Sequence, residues 1–237
     1  ESATSNQTSL TYSLEKYNQL LKICPKSATF LGKAAGIALE MGNTTYFNDL
    51  IQKAFAISPH DPKLLEMKGK YHFSTNELAL AKKFANICTN RASDPSKCTA
   101  LLKSINNFQK NEKEAASAIA NKTFDLAQQK IEVCNSIIQK YASSDSPIAT
   151  HIKGLQVKVL LAKNKKEEAV DYLNDLIKAS PNNENLYLQR GELLLELEDY
   201  SGAMNDFQFV RQKTKKGSTN NKKVLNLIEK TSKLQEK

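Results

Sequence analysis

Few residues of this chain are of types that could act in catalysis or bind a metal ion, and they are scattered along the sequence. Its three histidines have no nucleophile or carboxylate at a recognisable catalytic spacing, and no glycine-rich loop is present to cradle a phosphate. Its four cysteines form neither a CxxC motif nor a cluster with histidine, so the sequence indicates no metal site and no cofactor. These residues are Cys24, Cys88, Cys98, Cys134, His60, His72 and His151. The pattern favours a binding protein over an enzyme.

Two of the cysteines lie ten residues apart, on either side of an Asp94-Pro95 turn. Cys88 and Cys98 can form a disulfide, which would stabilise the fold by roughly 2–3 kcal/mol in the loop-entropy model. They can equally remain free thiols that fill small apolar positions. The spacing alone does not decide between these states. Cys24 and Cys134 lie 110 residues apart, and we expect both to be buried thiols.

Small residues and prolines recur in this sequence with a period of 34 residues. Pro25 and Pro59, like Ala169 and Ala203, lie one period apart in a sequence rich in Leu, Ala, Lys and Glu. This period is typical of tetratricopeptide (TPR) repeats. Positions 8 and 20 take small residues because helices A and B of each repeat approach most closely there, and a proline at position 32 ends helix B. The sequence therefore predicts an all-α TPR solenoid of antiparallel helix pairs, stabilised by stacking of neighbouring repeats.

Five repeats can be placed in this phase, and they begin at Ala28, Pro62, Phe108, Thr150 and Glu184. The last two match best, with Ala169 and Ala203 at position 20. Residues 10–25 match the helix B positions of a further repeat whose helix A is absent. We therefore expect the chain to be a fragment of a longer protein.

Two irregularities interrupt the array. Ala81 and Ala127 are 46 residues apart, and the intervening sequence contains no proline or glycine after Pro95. We interpret Lys97 to about Ala120 as one extended helix A that joins two subdomains. A turn-rich loop, residues 142–147, absorbs part of a second insertion. The predicted domains are an N-terminal TPR subdomain (1–95), a C-terminal TPR subdomain (96–217) and a basic capping helix (218–237).

The net charge of +9 is concentrated at one end of the chain. Residues 211–237 contain nine Lys or Arg and two acids, so about seven of the nine net charges lie there. A basic stripe can bind nucleic acid or an anionic membrane, but this one has no aromatic residues to stack on bases. Its apolar residues have helical spacing and predict a cap packed on the last repeat. These apolar residues are Val224, Leu225, Leu227, Ile228 and Leu234.

Ligands of TPR domains bind the concave face, which is lined by positions 2, 5, 9 and 12 of helix A. The candidates here are Thr29, Gly32, Gly36, Leu39, Lys63, Glu66, Lys70, Phe73, His151, Lys158, Leu188 and Glu192. Leu39 and Phe73 are the apolar candidates for holding an extended segment, although Phe73 could instead pack between helices. Gly32 and Gly36 would let a partner backbone approach closely. No repeat has the Lys at position 5 and Asn at position 9 that clamp the acidic tails of cytosolic heat-shock chaperones.

Signals for cellular location are weak. No apolar run is long enough to span a bilayer, and the first residues lack the basic and apolar regions of a signal peptide. Asn6, Asn43 and Asn121 begin N-x-[ST] sequons, but roughly three sequons are expected by chance in so asparagine-rich a chain.

The chain nevertheless resembles the TPR region of endoplasmic-reticulum-lumenal J-domain co-chaperones of the P58 inhibitor-of-protein-kinase type. The resemblance rests on the repeat phase, the two cysteines ten apart, and the unbroken helix that continues into AASAIANKTFDLAQQKIEVC. It implies a lumenal protein, a Cys88–Cys98 bridge, and a J-domain beyond residue 237 that recruits the lumenal Hsp70. The abundance of Asn, Lys and Ser suggests a fungal member, such as the J-protein of nuclear-membrane fusion.

We therefore expect a co-chaperone scaffold that presents unfolded client polypeptide to Hsp70 in the secretory pathway. The chain lacks the His-Pro-Asp tripeptide of J-domains and cannot itself activate Hsp70. The alternative is a cytosolic or nuclear adaptor that assembles folded partners. Neither hypothesis requires nucleic acid or a transmembrane segment.

Overall fold

The computed structural model describes residues 2–214 and 219–236 of the chain. Within these ranges the protein contains twelve α-helices and no β-strand. The helices are α1 (Ser2–Ile23), α2 (Ala28–Glu40), α3 (Thr44–Ile57), α4 (Pro62–Ser74), α5 (Leu78–Arg91), α6 (Ser96–Ala120), α7 (Phe124–Tyr141), α8 (Pro147–Ala162), α9 (Lys166–Ala179), α10 (Glu184–Glu196), α11 (Tyr200–Lys213) and α12 (Thr219–Gln235). The predicted all-α fold is confirmed, including the extended helix expected from Lys97 to Ala120, which is α6.

Ten helices form five consecutive pairs, from α2–α3 to α10–α11, and each pair is joined by a three-residue turn. The alanines at the predicted contact positions are fully buried; these are Ala35, Ala81, Ala115, Ala127, Ala169 and Ala203. At Gly69 an added Cβ would lie 3.5 Å from the amide nitrogen of Ala85 and 3.6 Å from the carbonyl oxygen of Ala81. The prediction that small residues mark the close approach of helices A and B is therefore confirmed.

The turn inside each pair has the same backbone conformation. Its second residue, at position 15 of the repeat, has a positive φ in all five turns, and these residues are Gly42, Asn76, Lys122, Asn164 and Glu198. A left-handed residue at the end of a helix lets the following amides bond the last carbonyls of that helix. The amide of Asp199 thus donates to the carbonyl of Leu194, and the amide of Thr123 to that of Ala118.

This conformation gives a prediction for Glu198, whose φ is 63°. Glycine adopts this region without the Cβ clash that other residues meet, so Glu198→Gly should stabilise the protein by about 1 kcal/mol. Hydrogen exchange read on peptides of α10 and α11 would measure the gain. Glu198→Ala is the matched control, because it removes the same charge but keeps a Cβ. An equal gain in the alanine variant would assign the effect to charge and contradict the backbone explanation.

The chain divides into two compact units. Unit 1 comprises residues 1–110 and 139–142, and unit 2 comprises residues 111–138 and 143–237, so one boundary falls inside α6, one inside α7 and one in the loop after α7. The division expected from the sequence, at residues 95 and 217, stays a prediction. A core of unit 1 is built from α2, α3 and α4 around Phe47 and Ile51, both almost fully buried. In unit 2 one core lies between α8, α9 and α10 and a second between α10, α11 and α12.

The last helix, α12, caps the final repeat as predicted. Val224 is fully buried against Phe207 and Val210, and Leu227 and Ile228 pack beside them. Leu225 was also expected on this apolar face, but its side chain is 42% exposed, so that assignment was wrong. Leu225 follows Val224 directly, and neighbouring residues of a helix point about 100° apart. The apolar stripe that contacts α11 is therefore narrower than the sequence suggested.

Helix α1 lies in the place expected for a helix B at the start of the array. Tyr17 packs against Phe30 of α2, and the hydroxyl of Tyr46 on α3 donates to the side-chain carbonyl of Asn18 at 2.7 Å.

Among the described residues no helix combines the length and apolar character that crossing a bilayer requires.

Candidate functional site

A groove in unit 1 is lined by residues of three helices. Its volume is about 480 Å³, and α1, α2 and the first turns of α4 form its walls. The apolar lining comes from Leu10, Tyr17, Ile37, Leu64 and Met67. A groove of this size has room for a few side chains of an extended segment.

Four of the predicted concave-face residues line this groove: Thr29, Gly32, Gly36 and Lys63. An added Cβ at Gly36 would be 3.8 Å from Sδ of Met67, which is ordinary contact, so the backbone of α2 is accessible there. At Gly32 the added Cβ would lie 2.8 Å from Cδ2 of the buried Leu64, so this glycine also serves the packing of α2 on α4. The two glycines thus have different roles.

The rim of the groove carries charges of both signs. Lys33 and Lys63 oppose Glu40 and Asp61 around the apolar lining. Asp61 is also the N-cap of α4, since its carboxylate accepts a hydrogen bond from the amide of Lys63 at 2.8 Å. A rim with no excess charge around an apolar floor would select for apolar side chains rather than for a charged ligand.

Phe73, an expected ligand-binding residue, is fully buried. Its ring meets Phe108 of α6 edge-on at 5.2 Å and Tyr141 of α7 at 6.2 Å between centroids. The prediction that Phe73 is open to a ligand is therefore wrong, and the alternative that it packs between helices is what the structure shows. The cause is the next repeat, whose long helix A covers position 12 of α4.

The other candidates in α2 and α4 lie outside the groove. Leu39 is half-buried and packs on the core of unit 1. Glu66 and Lys70 form an ion pair with each other, with 2.6 Å between the carboxylate oxygen and Nζ. Such a pair one helical turn apart contributes only a few tenths of a kcal/mol. These three residues do not converge on a site with the groove residues.

In unit 2 the capping helix occupies part of the expected ligand surface. Leu188 is 8% exposed because Val224 of α12 packs in the same cluster, and Glu192 pairs with Lys223 of α12. Leu188 was therefore wrongly predicted as a ligand contact. His151 and Lys158 are exposed, and Nε2 of His151 lies 2.9 Å from a carboxylate oxygen of Glu112.

The structure joins Cys88 of α5 to Cys98 in the first turn of α6, with 5.7 Å between their Cα atoms, a separation usual for disulfides. Both side chains are buried beside Leu65. The geometry is compatible with the bridge implied by the resemblance, which stays a prediction until thiols are counted. Cys134 is buried as expected, whereas Cys24 is exposed, contrary to expectation, because it follows the end of α1.

Thiol titration tests this bridge. Without reductant the unfolded protein should show two thiols, and after reduction four. In the folded protein only Cys24 should react promptly, because burial raises the pKa of the Cys134 thiol to about 12 and keeps it protonated. Cys24→Ser should remove the prompt thiol, and Cys134→Ala the one that appears on unfolding. Four thiols in the unfolded, unreduced protein would contradict the bridge.

Sequence reasoning did not find the wall of the groove that α1 provides. Leu10 and Tyr17 were recognised as repeat positions of a helix B, but not as residues that face a ligand surface. The sequence could have indicated this wall, because helix B of one repeat packs against helix A of the next.

Among the described residues no group of three or more His, Cys, Asp or Glu is placed to hold a metal ion.

No family model matches the chain. Its sequence is 27% identical over 154 residues to the DnaJ homolog subfamily C member 3 homolog of Dictyostelium discoideum; the match covers 65% of this chain, which spans only 30% of that protein.

Solved structures show the same fold. The P58(IPK) TPR domain matches with a TM-score of 0.65 and 16% identity, over 98% of this chain and 66% of that one. The APC/C hetero-tetramer Cut9–Hcn1 matches with a TM-score of 0.54 and 10% identity, over 96% of this chain and 46% of that one. The chain therefore has the TPR fold and is similar in sequence to a DnaJ homolog.

Proposed function

We propose that this chain is the client-binding TPR scaffold of an endoplasmic-reticulum-lumenal J-domain co-chaperone of the P58 type. The observation that carries the proposal is the sequence match to a DnaJ homolog across 154 residues, 65% of this chain. In this role the scaffold holds unfolded polypeptide for delivery to the lumenal Hsp70, and a J-domain outside the chain recruits that Hsp70. A role in nuclear-membrane fusion rests on composition alone and stays a prediction.

The groove of unit 1 supports client binding. An unfolded segment offers apolar side chains and an unpaired backbone, and the groove offers an apolar floor beside the accessible backbone at Gly36. Its mixed rim would tolerate many sequences, as binding to varied clients requires. The paired positions of Cys88 and Cys98 suit an oxidising compartment such as the lumen.

A groove-blocking variant tests the proposal. In Gly36→Leu the added Cβ would have only the flexible side chain of Met67 within 4 Å, and Gly36 lines the groove that the larger side chain is meant to fill. We expect the affinity for an unfolded model polypeptide to fall by about tenfold, equivalent to about 1.4 kcal/mol. Suppression of client aggregation should fall in parallel. Both can be measured on protein whose circular dichroism and thermal midpoint match those of the parent chain.

The matched control is Gly154→Leu. Gly154 also lies inside a helix, and an added Cβ there meets nothing within 4 Å, but it is outside the groove. This variant should bind the unfolded polypeptide like the parent. A loss of binding in Gly154→Leu alone would place the site on α8 instead. No binding by the parent chain would remove client binding from it and favour an adaptor for folded partners.

A further inference from the structure

The α6–α7 turn contains the sequence Asn121-Lys122-Thr123, an acceptor motif for N-linked glycans. Asn121 is exposed and immediately follows α6. Lys122 has a φ of 58°, and the hydroxyl of Thr123 donates to the carbonyl of Ala118 at 3.1 Å. Within the described part of the chain, the side-chain amide of Asn121 makes no hydrogen bond. Its Nδ2 can therefore be substituted without loss of a hydrogen bond.

Asn43 obeys the same sequence rule but differs in structure. Its side-chain oxygen caps α3 by accepting a hydrogen bond from the amide of Tyr46 at 3.0 Å. The side chain of Asn6 lies outside the described residues. Of the two acceptor asparagines whose side chains the structure describes, Asn121 is the one whose amide group makes no cap.

Space for a glycan lies next to Asn121. A hollow of about 390 Å³ opens there between the end of α6 and the start of α7. Leu126 is 45% exposed at this hollow, and Lys113, Glu114 and Lys130 also line it, with Nζ of Lys130 2.6 Å from a carboxylate oxygen of Glu114. An exposed apolar side chain beside hydrogen-bond donors suits a sugar, which presents both apolar ring faces and hydroxyls.

We propose that Asn121 carries an N-linked glycan that extends over this hollow. The inference rests on the proposed lumenal location, where lipid-diphosphate-linked oligosaccharide is the donor. A bond forms between Nδ2 of Asn121 and C1 of the first sugar, the bond from C1 to the diphosphate oxygen breaks, and the amide gives up one proton. The lipid diphosphate is the leaving group, and no oxidation or reduction occurs.

The test uses this chain behind a cleavable secretory signal, with the other two sequons removed by Asn6→Gln and Thr45→Ala. Thr45→Ala keeps the Asn43 cap of α3. We expect one glycosidase-sensitive shift in electrophoretic mobility. Asn121→Gln and Thr123→Ala should each abolish it, whereas Thr123→Ser should retain it, because serine keeps the hydroxyl that the motif requires.

Two results would overturn the proposal, and they are distinguishable. If the signal-directed chain shows no shift, Asn121 is not an acceptor, and the proposed co-chaperone function is unaffected. If the signal-directed chain is modified at Asn121 but the protein expressed from its own gene is not, the lumenal location is wrong, and with it the glycan in the cell.

Discussion

Replacing Phe73 with alanine should destabilise unit 1 by about 3–5 kcal/mol. The side chain is fully buried, and its ring contacts Phe108 and Tyr141, so its removal would leave a cavity where α4 meets α6 and α7. The loss of these two aromatic contacts destabilises unit 1 in addition to the loss of buried apolar area. Hydrogen exchange read on peptides of unit 1 would measure the local free energy of opening, which a global unfolding curve could obscure in a repeat protein.

Two further variants separate packing from ligand binding. Phe73→Leu keeps most of the buried volume and should cost about 1 kcal/mol, with affinity for unfolded polypeptide unchanged. Tyr12→Ala removes an aromatic ring that is 62% exposed and should change stability by less than about 0.5 kcal/mol. A folded Phe73→Leu protein with weakened client binding would show that this side chain contacts ligand after all.

Much of the fold could be predicted because small residues indicate where helices are in close contact. Two helices can approach closely only where neither carries a large side chain, so Ala81, Ala169 and Ala203 had to lie at helix contacts, and all three are fully buried. Proline at position 32 was an equally strong signal for the end of helix B, since α1 and α3 end two residues before Pro25 and Pro59. These signals are local in sequence and need no knowledge of the neighbouring repeats.

The exposure of helix A positions was less predictable, because it depends on what covers them. Position 12 of α4 is closed to ligand because Phe108 of α6 and Tyr141 of α7 pack on Phe73. Position 5 is open only when no cap lies over it, and α12 covers Leu188 with Val224. The repeat consensus assumes a regular neighbour on both sides, and both failures occur where the array departs from regularity.

The groove shows the same dependence on neighbours. Gly32 and Gly36 were selected as concave-face positions, and both line it. The wall formed by Leu10 and Tyr17 depends on how α1 packs against α2, which the consensus match of α1 did not describe. Sequence reasoning could thus identify one wall of the site, and tertiary packing was needed for the other.

An ion pair inside unit 2 gave no sequence signal at all. Arg190 of α10 donates two hydrogen bonds to the carboxylate of Asp206 on α11, at 2.6 and 2.8 Å, and a third to the side-chain carbonyl of Asn174 on α9 at 2.7 Å. The hydrogen bonds to Asp206 raise the pKa of the Arg190 guanidinium above its usual value, so it stays charged. Three helices from two repeats are tied together by this one side chain.

Removing the two partners should have unequal effects. Arg190→Ala leaves the carboxylate of Asp206, only 3% exposed, without its cation and should cost about 3–5 kcal/mol. Asp206→Ala should cost less, about 1–2 kcal/mol, because the Arg190 side chain is 22% exposed and can turn toward water while it keeps Asn174. Hydrogen exchange on peptides of α9, α10 and α11 would give both values.

The double variant Arg190→Met, Asp206→Leu decides what the pair contributes. Desolvating two charges offsets much of their attraction, so an apolar pair of similar volume should restore stability to within about 1 kcal/mol of the parent. In that case the ion pair determines the geometry in which neighbouring repeats dock and contributes little to the free energy of unfolding. If the double variant stays as unstable as Arg190→Ala, the ion pair itself stabilises unit 2, and the argument from desolvation is wrong for this site.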